Sequence, residues 1–196
     1  MSGPGRIALI AAIVCLPLAG VAVVRASGGA SPVIGDFNEE RIRLPDITLT
    51  DHTGHSRDLR GELTDGHIVV VNFNYSTCES ICPMGNDIMA LLDSEPDLAA
   101  DPGIRLLSIT IDPTTDTPAI LNRVASEFGA SDRWFWLTGA PGDIDRLLDS
   151  LDANVADITF HDPIFLVGDV ATGRFYRSVT LPGPEELRDL TRQFAG

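Results

Sequence analysis

The order of apolar and polar positions along the chain predicts alternating strands and helices. Short apolar or β-branched runs at residues 68–73, 104–111 and 134–137 predict strands, since four to eight such residues are typical of strands buried on both faces. The segments between them carry apolar residues at helical spacing. The clearest is residues 141–151, where isoleucine and leucines recur at i, i+3, i+4 and i+7. Three strands, each followed by a helix, are therefore expected in the middle of the chain.

The C-terminal quarter has a different pattern. Residues 164–167 and 175–179, joined by Ala171-Thr172-Gly173, predict an antiparallel hairpin, and Gly183-Pro184 begins a last helix. The complete order, β-α-β-α-β-α-β-β-α, predicts an α/β fold of the thioredoxin-like kind. We expect a mostly parallel central sheet with an antiparallel edge hairpin and helices on both faces.

The N-terminal region is organised differently from the rest. Residues 7–24 form an apolar run of 18 residues without a charge, flanked by Arg6 and Arg25, and predict a membrane anchor or a signal segment. Residues 26–36 are rich in Gly, Ser and Pro, as tethers are. The predicted organisation is an anchor or signal in residues 1–26, a flexible tether in 27–39 and a folded domain in 40–196. We expect that domain to be extracytoplasmic, either tethered on the periplasmic side of the cytoplasmic membrane or exported after cleavage.

Charge and cysteine content narrow the function. The chain has 28 acidic and 14 basic residues, a formal net charge of −14, which argues against nucleic-acid binding because a phosphate backbone requires clustered basic side chains. Cys15 lies in the apolar run, so Cys78 and Cys82 are the cysteines of the predicted domain. A disulfide between them would close a very small loop and would restrict the unfolded chain little. Redox chemistry or metal binding is the better explanation of the pair.

The position of the pair supports this interpretation. Cys78 and Cys82 lie directly after the strongest predicted strand and directly before a helix, where helix-terminal N–H groups favour a thiolate. The C-x-x-x-C spacing places them at i and i+4, on one side of a helical turn, so that both sulfurs can reach one metal ion or form a disulfide. Two thiolates favour a soft ion, with Cu(I) preferred over Zn(II).

A metal site needs a further ligand, and histidine is the candidate. His52 and His55 flank a turn at Thr53-Gly54 and are expected to be solvated, while His67 begins a strand at the end opposite the cysteines. His161 lies in the loop before the predicted hairpin, which in a thioredoxin-like topology faces the cysteine loop. A lone loop histidine is more often only a surface residue, but this placement favours a ligand. The predicted metal ligands are Cys78, Cys82 and His161.

Three segments together resemble a known family. Residues 72–83 (NFNYSTCESICP), residues 108–118 (SITIDPTTDTP) and Leu137-Thr138-Gly139 are similar, in this order, to motifs of the Sco/SenC copper-binding proteins that help assemble cytochrome c oxidase. The likeness covers roughly residues 40–195. The chain departs from the family pattern directly after His161, where Asp162-Pro163 follows instead of Ser or Thr.

The resemblance implies a copper protein with little or no turnover. It implies that the three predicted ligands bind copper as Cu(I) or Cu(II). It further implies delivery of copper to the copper-receiving subunit of a respiratory oxidase or to another copper protein, or reduction of the thiols of that copper centre with a thiol reductant as partner. The alternative is an enzyme-like thiol–disulfide oxidoreductase that uses Cys78 and Cys82 as its redox-active pair.

Four neighbouring residues have roles that the sequence leaves open. Asp116 is expected to cap the helix that begins near Thr117 more than to orient the cysteine loop, and Asp112 is open to either role. Met84 is expected to pack in the core rather than to touch copper with its thioether. Glu79, between the cysteines, fits either an electrostatic influence on the metal or a solvated position.

Overall fold

Eight strands and five α-helices form the part of the chain that the computed structural model describes, namely Met1, residues 36–158 and residues 162–195. The strands are β1 (Phe37–Arg41), β2 (Thr48–Asp51), β3 (Ser56–Asp58), β4 (Ile68–Asn74), β5 (Ile104–Thr110), β6 (Trp134–Thr138), β7 (Phe165–Asp169) and β8 (Arg174–Ser178). The helices are α1 (Cys82–Ser94), α2 (Pro96–Ala99), α3 (Pro118–Glu127), α4 (Pro141–Ser150) and α5 (Pro184–Ala195), and a π-helical turn spans Leu59–Leu63. The described residues from Asp36 onward belong to one contact-defined unit, Ile34–Gly196.

All eight strands join one sheet in the order β1-β8-β7-β4-β5-β6-β2-β3. The α/β class and the predicted central strands are confirmed, but parallel pairing is limited to β4 with β5 and β5 with β6. Antiparallel strands extend the sheet on both sides, so the expectation of a mostly parallel sheet holds only for its centre. The β7–β8 hairpin does not form the edge either, because β1 pairs with β8 outside it.

Strand β1 has no counterpart among the predicted elements, and it begins inside the segment predicted as a tether. Its sequence, FNEER, has one apolar residue and no period-two pattern. The strand is held by pairing with β8 and by ion pairs across it, including Arg177 Nε to Glu40 Oε1 at 2.7 Å. Edge strands with charged side chains are common, and local pattern does not reveal them.

Each face of the sheet is covered, as predicted. One hydrophobic cluster contains Val70, Met89, Trp134 and Trp136 and brings α1, α3 and α5 against the sheet. The cluster on the other face contains Val69, Val71 and Phe73 with the inner side of α4, and it also includes Cys78 and Cys82. Strand β4 contributes alternate residues to both clusters, which explains why its sequence is an unbroken apolar run at residues 68–71.

The predictions for the N-terminal region fall outside the described residues. This applies to the apolar run of residues 7–24 and to its role as an anchor or a signal. Within the residues that the structure does describe, no helix has the length and apolar character that crossing a membrane requires.

Candidate metal and thiol site

The two cysteines lie side by side at the carboxyl end of the central strand. Strand β4 ends at Asn74 and α1 begins at Cys82, and a turn closed by the hydrogen bond from Cys78 N to Tyr75 O at 3.1 Å connects them. The Cys82 backbone N–H donates to Cys78 Sγ at 3.3 Å, so that the sulfur of Cys78 accepts from the first turn of the helix. Both are reduced thiols and both are buried, with 8% and 5% of their surface exposed. The two cysteines are therefore in contact at the start of α1, but only Cys82 is helical, so the predicted placement of both on one side of a helical turn is wrong.

The two thiols differ in acidity. Burial raises the pKa of Cys78, but hydrogen bonds to its sulfur outweigh burial and leave the pKa below its ordinary value. The donors are the Cys82 thiol, the backbone N–H groups of Ser80 and Cys82, and the Ser80 hydroxyl. Burial, followed by the hydrogen bond to Cys78, raises the pKa of Cys82 to about 12. Cys78 is thus the residue that ionises first, and Cys82 holds the proton of the pair.

Tyr75 forms part of the same buried group. Burial raises its pKa first, and the charge on Cys78 and a hydrogen bond with its side chain raise it further. Because the same interaction favours the thiolate, the Tyr75 hydroxyl acts as a donor toward Cys78. The tyrosine therefore contributes to the thiolate character of the first cysteine.

The difference in pKa predicts selective alkylation. In the reduced full-length chain, iodoacetamide is expected to label Cys78 before Cys82, and the pH midpoint for Cys78 is expected below that of an ordinary thiol because only the thiolate reacts. Tandem mass spectrometry of timed samples across pH 6–10 would localise the label. A pH midpoint for Cys82 below that of Cys78 would contradict the assignment. The midpoints rather than the rates are compared, because both thiols are buried and access alone can change a rate.

Asp116 fixes the start of the cysteine loop. Its carboxylate is fully buried, accepts from the Ser76 backbone N–H at 3.1 Å through both oxygens, and accepts from Thr110 Oγ1 at 2.6 Å. The cap of α3 is instead Thr117, whose side chain accepts from Ile120 N. The expectation that Asp116 mainly caps this helix is therefore wrong, because the side chain points inward to the loop after β4.

Asp112, by contrast, makes its side-chain hydrogen bonds within its own turn. Its Oδ1 accepts from Thr114 Oγ1 at 2.6 Å and from Thr115 N at 3.3 Å, and these hydrogen bonds are the main reason that the pKa of Asp112 lies below its ordinary value. Of the two aspartates that were open between capping and loop orientation, the structure assigns loop orientation to Asp116.

A buried polar chain lies directly behind the cysteine loop and was not predicted. Asn72, Asn74 and Asn86 are at most 5% exposed and are joined by side-chain hydrogen bonds. The signal for it is in the sequence, because Asn72 and Asn74 interrupt a strand whose neighbours are all apolar and whose two faces are both buried. A polar residue at such a position needs a partner, which sequence pattern alone does not supply.

The predicted third ligand lies outside the described residues, whereas His52 and His67 have defined surroundings in the structure. His161 lies in residues 159–161, outside the described part of the chain. His67 precedes β4 at the opposite end from the cysteines, as predicted, with its Nδ1 at 2.6 Å from Asp65 O. His52 is not simply solvated: it is half-buried, burial lowers its pKa, and its Nδ1 accepts from Trp136 N at 3.3 Å.

The remaining neighbours of the cysteines are exposed. Met84 has 47% of its surface exposed, so the expectation that it packs in the core is wrong. Glu79 is also exposed. Among residues 36–158 and 162–195, no group of three or more His, Cys, Asp or Glu side chains is placed to hold a metal ion. Cys78 and Cys82 are thus the candidate ligands that the described structure brings together.

A reduced cysteine pair at the carboxyl end of the central parallel strands defines a thioredoxin-like thiol protein. Comparison with known proteins gives the family. The sequence model of the SCO1/SenC family matches residues 38–163, more than half of the chain, and the chain belongs to this family. The family predicted from the three sequence motifs is therefore confirmed.

Relatives and solved structures agree with this assignment. The chain is 33% identical over 103 residues to the mitochondrial SCO2 homolog of Danio rerio, a stretch that covers 50% of this chain and 34% of that relative. This fold is similar to that of BsSco, a member of the Sco family of cytochrome c oxidase assembly proteins (TM-score 0.66, 22% identity, 80% of this chain and 95% of that one). A disulfide switch was identified in BsSco. It is also similar to yeast Sco1 with copper bound (TM-score 0.61, 22% identity, 79% and 92%).

Proposed function

We propose that this protein binds one copper ion as cargo through Cys78, Cys82 and His161. The observation that carries the proposal is the contact between two buried cysteines, Cys78 in the loop after β4 and Cys82 at the start of α1, with a lowered pKa for Cys78. Two convergent thiolates favour a soft ion such as Cu(I), and a neutral imidazole from the loop before β7 would complete three-coordination. The Cys82 N–H and Tyr75 supply hydrogen bonds that tune such a ligand.

Relatives support copper as the metal. Yeast Sco1, whose fold this chain shares, was solved with copper bound. Both Cu(I) and Cu(II) are within the proposal, because a thiolate–imidazole set accepts either. The two residues after Cys78, Glu79 and Ser80, are exposed. A partner's ligand would approach the buried pair from this side, so that copper passes by ligand exchange without free release.

The proposed biological role is that of a metallochaperone. BsSco belongs to a family of cytochrome c oxidase assembly proteins. By analogy, this chain would deliver copper to the copper-receiving subunit of a respiratory oxidase, or to another copper protein, or would maintain that centre's thiols together with a thiol reductant. We place it outside the cytoplasm, on the periplasmic side of the membrane and tethered through residues 7–24 or exported after their cleavage.

The second candidate is thiol–disulfide exchange by the same pair. The observation that favours it is the difference in acidity between the cysteines, with a lowered pKa for Cys78 and a pKa of about 12 for Cys82. One thiolate that attacks and one thiol that resolves are the requirement for exchange. BsSco contains a disulfide switch, which is consistent with this chemistry on the same fold.

The third ligand distinguishes the two candidates. The reduced full-length protein is expected to bind about one Cu(I) per chain in competition with a chromophoric chelator. His161→Ala is expected to weaken this affinity by at least ~10-fold, because even the loss of a residue that only hydrogen-bonds to a metal ligand costs that much. His67→Ala is the matched control, because this imidazole lies at the other end of β4.

Each outcome has a clear meaning for the proposal. Loss of affinity in His161→Ala with retention in His67→Ala supports the three-ligand site. Equal affinity in the wild-type and His161→Ala proteins would remove the imidazole from the site. If the reduced wild-type protein takes up no copper but cycles its thiols with a reference disulfide, the exchange function replaces the copper function.

A further inference from the structure

A continuous chain of buried hydrogen bonds connects the middle of the sheet to the helix that carries Cys82. The indole Nε1 of Trp134 donates to Ser108 Oγ at 2.8 Å, and Ser108 Oγ donates to Asn72 Oδ1 at 2.6 Å. Asn72 Nδ2 then donates to Asn86 Oδ1 at 3.1 Å, and Asn74 Nδ2 donates to the same oxygen at 3.0 Å. Every member is buried, so the chain spans β6, β5, β4 and α1 away from water.

The direction of every bond in this chain follows from the indole. An indole N–H can only donate, so the Ser108 oxygen accepts and its own proton must go to the next acceptor. That acceptor is the carbonyl oxygen of Asn72, which leaves the Asn72 NH₂ group facing α1 as a donor. Asn86 must therefore present its oxygen, and this oxygen receives a second amide N–H from Asn74. The side-chain orientation of Asn86 is thus fixed by the Trp134 indole on β6, through Ser108 on β5 and Asn72 on β4.

Asn86 holds the first turns of α1, the helix that begins at Cys82. It lies four residues after Cys82, one helical turn along α1, and both of its donors lie on β4, the strand that leads into the cysteine loop. Asp116 fixes the other end of that loop at Ser76. The loop between the strand and Cys82 is therefore held at both ends by buried hydrogen bonds.

We propose that Asn86 is a positioning residue for Cys82, holding the first turn of α1 in the geometry of the reduced dithiol seen here. The inference rests on the thiol pair of the proposed function but not on copper. Closing a disulfide brings the two sulfurs to about 2 Å, so the helix start and the loop must adjust toward each other. The two hydrogen bonds from the Asn72 and Asn74 amides to Asn86 resist this adjustment and hence favour the dithiol over the disulfide.

The experiment measures the thiol–disulfide equilibrium of the full-length chain against oxidised and reduced dithiothreitol. In this exchange the two cysteine thiols give up two electrons and two protons, the protein S–S bond forms, and the S–S bond of the oxidised reagent is cleaved to its dithiol. Asn86→Leu keeps the number and the branching of the side-chain heavy atoms and removes the acceptor. We expect its equilibrium to move about 10-fold toward the protein disulfide, which corresponds to about 30 mV for a two-electron couple.

Controls separate positioning from general destabilisation. Leu92→Ala lies on the same helix and opens a core cavity without removing a member of the hydrogen-bond network, so it is expected to lower the free energy of unfolding while changing the equilibrium less than about 2-fold. Asn86→Asp keeps an oxygen that accepts from both amides and is expected to stay within about 3-fold of the wild type. If Asn86→Leu does not fold, Asn74→Val removes one of the two bonds and is expected to shift the equilibrium in the same direction by a smaller factor.

The possible results decide the inference independently of copper. An unchanged equilibrium in Asn86→Leu, or an equal shift in Leu92→Ala, would show that the network stabilises the fold without positioning Cys82. A protein that takes up no copper but still shows the Asn86 shift would overturn the proposed copper function and leave the positioning role in place. Copper uptake with no Asn86 shift would support the copper function and overturn the positioning role.

Discussion

Replacing Cys78 with serine is expected to lower the affinity of the reduced protein for Cu(I) by at least ~100-fold, the upper end of what loss of an outer-shell partner costs. The reason is chemical: serine has nearly the same size but replaces a soft thiolate by a hydroxyl that does not ionise at neutral pH. Cys78 is also the cysteine whose pKa lies below the ordinary value, so it supplies the thiolate at the lowest cost in proton release.

The full-length chain contains its own matched control for this variant. Cys15 is the third cysteine of the sequence and lies in the apolar run of residues 7–24. Cys15→Ser makes the same chemical change and is expected to leave copper affinity unaltered. Competition titration of both variants gives the affinities, and far-ultraviolet circular dichroism checks that each is folded. Full affinity in a folded Cys78→Ser protein would mean that the metal is held elsewhere.

Asp116→Ala is expected to lower the free energy of unfolding by about 2–4 kcal/mol, because it leaves one buried and one partly buried donor without their acceptor. These donors are the Ser76 backbone N–H and the Thr110 hydroxyl. The loss includes the strand-to-loop connection, so the cysteine loop should also become more mobile. Urea unfolding followed by fluorescence measures the change, since Trp134 and Trp136 are both buried and report on the core.

Asp112→Ala is the control for this second variant. It removes a carboxylate four residues earlier whose hydrogen bonds stay within its own exposed turn. Turn bonds of this kind are partly replaced by water, and we expect a cost below about 1 kcal/mol. Equal losses in the two variants would show that the inward-facing contacts of Asp116 contribute no more than a surface turn does.

Local signals in the sequence predicted the position of the cysteine site. The β-branched run before it and the Cys82-Pro83 helix start are both properties of neighbouring residues. The start of α3 is of the same kind, because Thr117 caps the helix and Pro118 follows at its first position. Such features depend on backbone preferences within one or two turns of chain, and so they can be recognised without a tertiary structure.

The features that were missed depend on residues distant in sequence. Asp116 bonds across 40 positions to Ser76, and Ser108 across 36 positions to Asn72. No local rule distinguishes an aspartate that caps the next helix from one that turns inward. Strand β1 is a similar case, because its charged sequence becomes a strand only when β8 offers an edge to pair with. The antiparallel extension of the sheet has the same origin.

The sequence by itself determined the family, the α/β class, and the location of two thiols four residues apart at a helix start, because spacing and local propensity specify these. The tertiary structure alone decided how the two thiols differ in acidity and what holds their loop. The difference in acidity comes from burial and from hydrogen bonds among the cysteines and Ser80, whereas the loop is held by hydrogen bonds of Asp116 with Ser76 and Thr110. The pKa of a thiol depends on the atoms packed around it, and only the folded chain brings those atoms together.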